Sequence, residues 1–218
     1  MKQVKIEMIH DLICSWCPIG YTNLKQALNN LNVKADWYFL PFELNPDMPS
    51  EGERINDHLA RHYHWSETKL RKYRSHLLAV ANEAGVKMDF SKRTHYYNSH
   101  KAHLLMHWSE SINQQQTMKD RLMKAYFEQG LDIGRTKILL NIVKDLGLDT
   151  ISAKTFMESK EAEQTMMAKQ ERVAKIGLSS VPAFIINEHI LITGSNSVDI
   201  FEEKMDQVLN ASTRKEVI

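Results

Sequence analysis

The sequence predicts an α/β fold in which a β-α-β unit at the start of the chain and a β-β-α unit at its end are separated by a large all-helical insertion. Three observations carry this. Residues 1–45 read strand, helix, strand. Residues 176–218 read strand, strand, helix. Through most of residues 46–175 the apolar side chains recur at helical spacing.

The elements follow in order. Residues 4–10 are largely apolar and β-branched, and form a short central strand. A tight connection over residues 11–18 leads to a helix over 19–31, where Ile19, Leu24, Ala27, Leu28 and Leu31 share one face. Trp37, Tyr38, Phe39, Leu40 and Phe42 give residues 35–44 strand composition. Strand, helix and strand of these lengths form one βαβ unit, so the two strands run parallel. Residues 45–52 are dense in turn formers. Ser66 is placed to cap a helix that ends at Gly85. Further helices are expected over 99–111, 117–130, 137–147, 152–158 and 159–177. Short apolar runs at 182–186 and 189–193 are joined by Asn187-Glu188, a hairpin signal. A last amphipathic helix covers 198–209, and the polar tail after Asn210 is expected to fray. The resulting division is a discontinuous domain, residues 1–45 plus 176–218, and an inserted helical domain, residues 46–175.

The 218 residues are 43% hydrophobic and 25% charged, enough apolar material for a core that needs no disulfide staples. A net charge of +1 with no basic tract gives no field that draws the chain to nucleic acid. No run approaches the roughly 18 apolar residues of a membrane span. Charges interrupt residues 1–10, so no secretory signal is read there and the expected location is the cytoplasm. Structural disulfides are rare in that compartment. The chain has two cysteines, both in Cys14-Ser15-Trp16-Cys17, which therefore reads as catalytic or metal-binding.

The motif sits where a strand gives way to a helix. Unpaired amides and the helix dipole favour negative charge there, so Cys14 is expected to have a lowered pKa and to act as nucleophile. Cys17, one turn inward, is placed to resolve a mixed disulfide by attacking the Cys14 sulfur. Pro18 agrees with a helix that starts inside the motif, because first-turn amides lack partners anyway. Trp16 is either an apolar platform for a partner peptide or a cover for the buried sulfur. Half of a zinc site would need two further ligands, and no second Cys-x-x-Cys exists.

Without its helical block the chain has the minimal order of a thioredoxin fold. Folds of this kind place a cis-proline beside the redox cysteines, and Pro182, after Val181, occupies that place. The Val181 backbone could then pair with an extended peptide. The bland alternative is a trans proline opening an edge strand. Four stretches resemble one family, the DsbA-like oxidoreductases of the FrnE type. They are Asp11-Leu12-Ile13-Cys14-Ser15-Trp16-Cys17-Pro18-Ile19-Gly20, Pro41-Phe42-Glu43-Leu44-Asn45-Pro46, Tyr126-Phe127-Glu128-Gln129-Gly130-Leu131-Asp132-Ile133, and Ser179-Ser180-Val181-Pro182-Ala183-Phe184 with Ile192-Thr193-Gly194-Ser195. The resemblance implies a thioredoxin fold with a helical insert and disulfide oxidoreductase activity. It carries the redox role onto Cys14 and Cys17 and the cis-proline role onto Pro182. The chain departs from the family's pattern at Ser15, where proline is common, and at Pro18, where an aromatic is common.

The remaining candidates are weaker. Glu43 is read either as a proton-transfer partner of Cys17 or as a surface acid. His100, His103 and His107 share a helical face, and His58 and His62 stand one turn apart, but no carboxylate or cysteine completes a metal set, so no metal is expected. Met118, Met123, Met157, Met166 and Met167 fill the helical core or form an adaptable binding surface. The function expected is thiol–disulfide exchange with protein or peptide thiols, with no cofactor beyond the Cys14–Cys17 disulfide and with glutathione as a candidate co-substrate. The alternative is a glutathione-dependent isomerase or transferase, similar to 2-hydroxychromene-2-carboxylate isomerase or the kappa-class glutathione transferases, which typically use serine near the position of Cys14. A non-enzymatic chaperone built on the helical block is a third reading. A homodimer is compatible with each.

Overall fold

The computed structural model describes residues 2–215, apart from the side chains of 211–215. Strand β1 (Lys2–His10) leads into helix α1 (Trp16–Asn30) and strand β2 (Val33–Pro41). β1 and β2 are parallel from Lys2↔Val33 to His10↔Pro41, which makes the first unit the expected βαβ. At the other end β5 (Ala183–Ile186) and β6 (Ile190–Thr193) form an antiparallel hairpin, followed by α9 (Val198–Lys215). Asn187 and Glu188 both take positive φ, 48° and 67°, as the tight hairpin turn demands. β5 pairs antiparallel with β1, giving the sheet order β2-β1-β5-β6. α9 runs beyond the expected Leu209 to Lys215, so residues 211–215, expected to fray, are helical, while residues 216–218 lie outside those described.

β1 lies between two strands and is buried on both faces over its second half. Side chains alternate along it, so neighbours face opposite layers. Met8 stands opposite Phe184 of β5, whose ring meets Phe201 of α9 at 5.5 Å. α1 packs beside α9. Glu7, one residue away, points to the opposite layer, where Arg172 makes two hydrogen bonds to it of 2.9 and 2.6 Å. Arg172 belongs to α8 (Lys160–Ala174), which lies against β2.

The insertion occupies the chain between β2 and β5. It contains β3 (Glu53–Arg54), α2 (Ile55–Tyr63), α3 (Glu67–Glu83), β4 (His95–Tyr96), α4 (His100–Ser111), α5 (Gln115–Phe127), α6 (Thr136–Asp145), α7 (Thr150–Met157) and α8. Ser66 caps α3 as expected, accepting from the Lys69 amide at 3.3 Å, and Gly85 follows with φ 70°. The sequence reading covers α2 within a helical block without bounding it, and does not anticipate the two-residue ribbon of β3 and β4. A ribbon that short has no period to read. α2 is mostly polar and draws its packing from Ile55 and Leu59 against Leu70 of α3. α1 begins at Trp16, three residues before its apolar stripe, because the motif's backbone is helical although its side chains carry no periodicity.

One hydrophobic cluster runs from the sheet into the insertion, joining Met8 and Phe184 to Leu104, Tyr126, Leu139 and Met166. Met118, Met123, Met157 and Met166 are buried in it, while Met167 is 55% exposed. A smaller cluster of Ile19, Leu77 and Ala81 fastens α3 to α1.

A polar contact also joins sheet and insertion. His100 on α4 stands 2.7 Å from Glu43 Oε1, just beyond β2, and 2.9 Å from Glu163 Oε2 on α8. Both ring nitrogens can donate at once only in the imidazolium form. The hydrogen bond to Glu43 outweighs the cost of burial, and with the two carboxylate charges it raises the His100 pKa to about 9. The folded-state value lies above the unfolded value near 6.5, so the contribution is complete below pH 6.5 and is lost as pH rises through about 9. After discounting for solvent at the ring, whose side chain is 31% exposed, it amounts to about 1–2 kcal/mol. Urea denaturation between pH 6.5 and 9 should show wild-type stability falling by that amount more than that of His100→Gln. Parallel profiles would remove His100 as the cause. Independently, a Cβ on Gly20 would lie 2.8 Å from Pro182 Cγ and 3.1 Å from Ser195 Cα. Gly20→Ala should therefore cost about 1–3 kcal/mol by overpacking, and an unchanged denaturation midpoint would show that the 182–195 hairpin yields instead.

Candidate active site

β1 delivers the chain to the sheet's upper edge at His10. Asp11 is fully buried there and orders the connection that follows. Its Oδ1 accepts from the Ile13 amide at 3.3 Å, and its Oδ2 accepts from the Leu44 amide at 2.7 Å. One carboxylate thus ties the β1–α1 connection to the chain leaving β2. The Cys14 amide donates to the Asp11 carbonyl and the Cys17 amide to the Cys14 carbonyl, each at 3.2 Å. Ser15 is the N-cap residue of α1, but its hydroxyl makes no capping bond. The first-turn amides of α1 therefore face the motif without a side-chain acceptor from that residue.

Both cysteines are free thiols. Cys14 is 5% exposed and Cys17 is fully buried. Burial pushes the Cys17 thiol well up, and the hydrogen bond it donates to Cys14 pushes it further; a bond from the Asp11 backbone partly offsets this. Cys17 is thus held as a thiol beneath Cys14. Cys14 Sγ lies 3.5 Å from the Val181 carbonyl oxygen. The Val181–Pro182 peptide bond is cis.

Arg93 lies in the loop before β4 and is 3% exposed. Its Nη2 donates to the Ile13 carbonyl at 3.1 Å, one peptide before Cys14. Its guanidinium centre lies 4.8 Å from the Tyr126 ring and 4.9 Å from the Phe127 ring. A buried cation is held here by aromatic faces. Burial, above all, raises the phenols of Tyr73 and Tyr96, the latter to about 12, and the Cys14 charge adds to both. Arg93, Tyr73 and Tyr96 all come from the insertion. Sequence reasoning missed Arg93, since a lone arginine in a basic loop carries no signal of burial.

Trp16 is half-buried and its indole N–H donates to Tyr73 Oη at 3.2 Å. Its ring packs against the main cluster and against the α1–α3 cluster. Glu43 is engaged by side chains of the insertion. Its side chain is 7% exposed, so it is no surface acid. Its Oε1 accepts from His100 at 2.7 Å and from Gln170 Nε2 at 2.6 Å. The carboxylate whose charge reaches Cys17 is that of Asp11. Three residues ahead of Cys14, it carried no periodic signal of its own. The three histidines of α4 diverge: His100 joins Glu43 and Glu163, His103 Nε2 stands 3.4 Å from Asp11 Oδ1, and His107 meets Glu110. A cavity of about 840 Å³ opens between Glu43, Asn98, His100 and Arg135, and neither cysteine lines it.

Similar proteins agree with this architecture. The uncharacterized protein YwbO of Bacillus subtilis is 24% identical over 201 residues, covering 92% of this chain and 94% of its own length. The crystal structure of a probable DsbA oxidoreductase from Streptomyces coelicolor matches with a TM-score of 0.85 at 19% identity, over 95% of this chain and 90% of that one. A 2-hydroxychromene-2-carboxylate isomerase matches with a TM-score of 0.70 at 12% identity, over 96% of this chain and 98% of that one. At such identities the two structures establish the fold alone. Among the described residues, no helix is long and apolar enough to cross a membrane. The model of one family matches residues 5–206, nearly the whole chain, and the protein accordingly belongs to the DSBA-like thioredoxin domain family.

Proposed function

We propose that the protein is a thiol–disulfide oxidoreductase in which Cys14 is the nucleophile and Cys17 the resolving thiol, acting on protein or peptide thiols and disulfides. The observation that carries this reading is the asymmetry of the pair. Cys17 is fully buried and held protonated, while Cys14 stands at the start of α1, receives the Cys17 hydrogen bond and borders the cis Val181–Pro182 bond. Arg93 adds a positive charge one peptide away. Within the family, the segments around Cys14, Glu43 and Pro182 support the FrnE type.

In the reducing direction the Cys14 thiolate attacks a substrate disulfide. One substrate sulfur leaves as thiolate and the other stays bound to Cys14. Cys17 then loses its proton and attacks Cys14 Sγ. The second substrate thiolate leaves, and two electrons have passed from the pair to the substrate. The oxidising direction runs the same steps backwards from the Cys14–Cys17 disulfide. The Val181 backbone beside the proline supplies a site for pairing with an extended substrate. Glutathione can enter the same exchange as a small disulfide. The isomerase reading has no observation of its own in its favour, because the place where those proteins typically carry serine holds Cys14.

Two experiments test the reading. Cys14→Ser should abolish exchange with a peptide disulfide, whereas Cys17→Ser should trap a mixed disulfide visible as a mass adduct. Exchange that survives in Cys14→Ser would falsify the mechanism. Thiol trapping against glutathione should show a reversible two-electron couple. A potential near about −270 mV would assign a reductase and one near about −120 mV an oxidant; absence of a couple would overturn the proposal.

A further inference from the structure

His58 and His62 stand one turn apart on α2, a spacing suited to one metal ion, yet the sequence offers them no obvious third ligand. The structure supplies one. β3 ends at Arg54 and α2 begins at Ile55, so the strand-to-helix corner folds Glu53 back over the first turns of the helix. Glu53 Oε2 lies 2.7 Å from His58 Nδ1. The His58 and His62 rings are 4.3 Å apart with 37° between their planes. One donor atom from each of the three residues falls within 4.8 Å of the other two. His58 is 7% exposed, and its ring meets the Tyr96 ring at 5.2 Å. Tyr96 is the register partner of Glu53 in the ribbon, so one local unit holds both residues.

We propose that Glu53, His58 and His62 form a site for a divalent transition-metal ion of the zinc class. Two imidazoles and a carboxylate suit Zn²⁺, with no thiolate to select a softer ion. Three protein ligands leave a fourth position open. A cavity of about 450 Å³, bordered by the cluster and by Asn45, Asp47 and Tyr63, leaves room there for water or a small anion. An ion at about 2.1 Å from each donor needs donors about 3.5 Å apart, so Glu53 and His58, now 2.7 Å apart, must exchange their hydrogen bond for the ion while the wider spacings, up to 4.8 Å, close. His62, exposed on the helix surface, can make that movement.

Arg61 belongs to the argument. Its guanidinium lies 2.6 Å from Glu53 Oε2, and its side chain is 66% exposed. It supplies, without metal, the positive charge that an ion would bring. An ion must displace it, so Arg61 is a competitor and its removal should tighten binding. The site contains neither cysteine and does not rest on the redox reading.

The test is calorimetric titration of the full chain with Zn²⁺ at neutral pH, repeated with Co²⁺ to report ligand type by absorption. One ion should bind at this site with a nitrogen- and oxygen-ligand cobalt spectrum. His62→Ala, an exposed position that leaves the fold intact by circular dichroism, and Glu53→Gln should each weaken binding about tenfold or more. Arg61→Ala should strengthen it. Zinc should raise the melting midpoint of the wild type and not of His62→Ala. The proposal is overturned if no ion binds, if affinity is unchanged in both His62→Ala and Glu53→Gln, or if the cobalt spectrum shows thiolate absorption alone.

Discussion

The buried carboxylate of Asp11 is the interaction on which the rest of the site depends. It has no contact with water and spends both oxygens on backbone amides, Ile13 on one side and Leu44 on the other. Losing it would leave the buried Ile13 amide without an acceptor and release the part-buried Leu44 amide, so the connection would lose its anchor. With it in place, the end of β1, the start of α1 and the exit of β2 are one unit. Cys14 and Cys17 then sit at a fixed height above the sheet, against the hairpin that carries the cis-proline.

The insertion is more than an appendage to this frame. Its helices share a hydrophobic core with the sheet, and its side chains reach the motif. Tyr73 holds the indole of Trp16, and Arg93 holds the carbonyl before Cys14. His103 stands beside Asp11 itself. The environment of the cysteines is therefore built by two parts of the chain, and the polar link of Glu43, His100 and Glu163 keeps them in register. The same insertion presents, at α2, a separate cluster of metal-ligand chemistry that shares no residue with the cysteine site.

Much of the fold was legible because its signals are local. Alternation of side chains marks β1, helical spacing marks α3 and α5, and Asn187-Glu188 marks the hairpin within a few residues of the strands it joins. The cysteine pair was legible for the same reason, since an i, i+3 pair at a strand-to-helix boundary is a short-range pattern. What lacked a period was missed. The two-residue ribbon exists through pairing of residues distant in sequence, and the bounds of the polar helix α2 are set by packing of Ile55 and Leu59 against Leu70 of the next helix. The start of α1 was placed too late because its first turn is read by backbone geometry and not by an apolar stripe.

By itself, then, the sequence determined the order and type of the main elements, the parallel first unit, the break between the two halves of the sheet and the residues that carry sulfur. These follow from the local preferences of backbone and side chain. Only the tertiary structure decided the company those residues keep. It set Arg93 eighty positions from Ile13 into contact with it, joined Glu43 to His100, and folded Glu53 onto His58 and His62. Each of these depends on which surfaces pack together, and the burial that gives an ionisable group its partner belongs to the whole molecule.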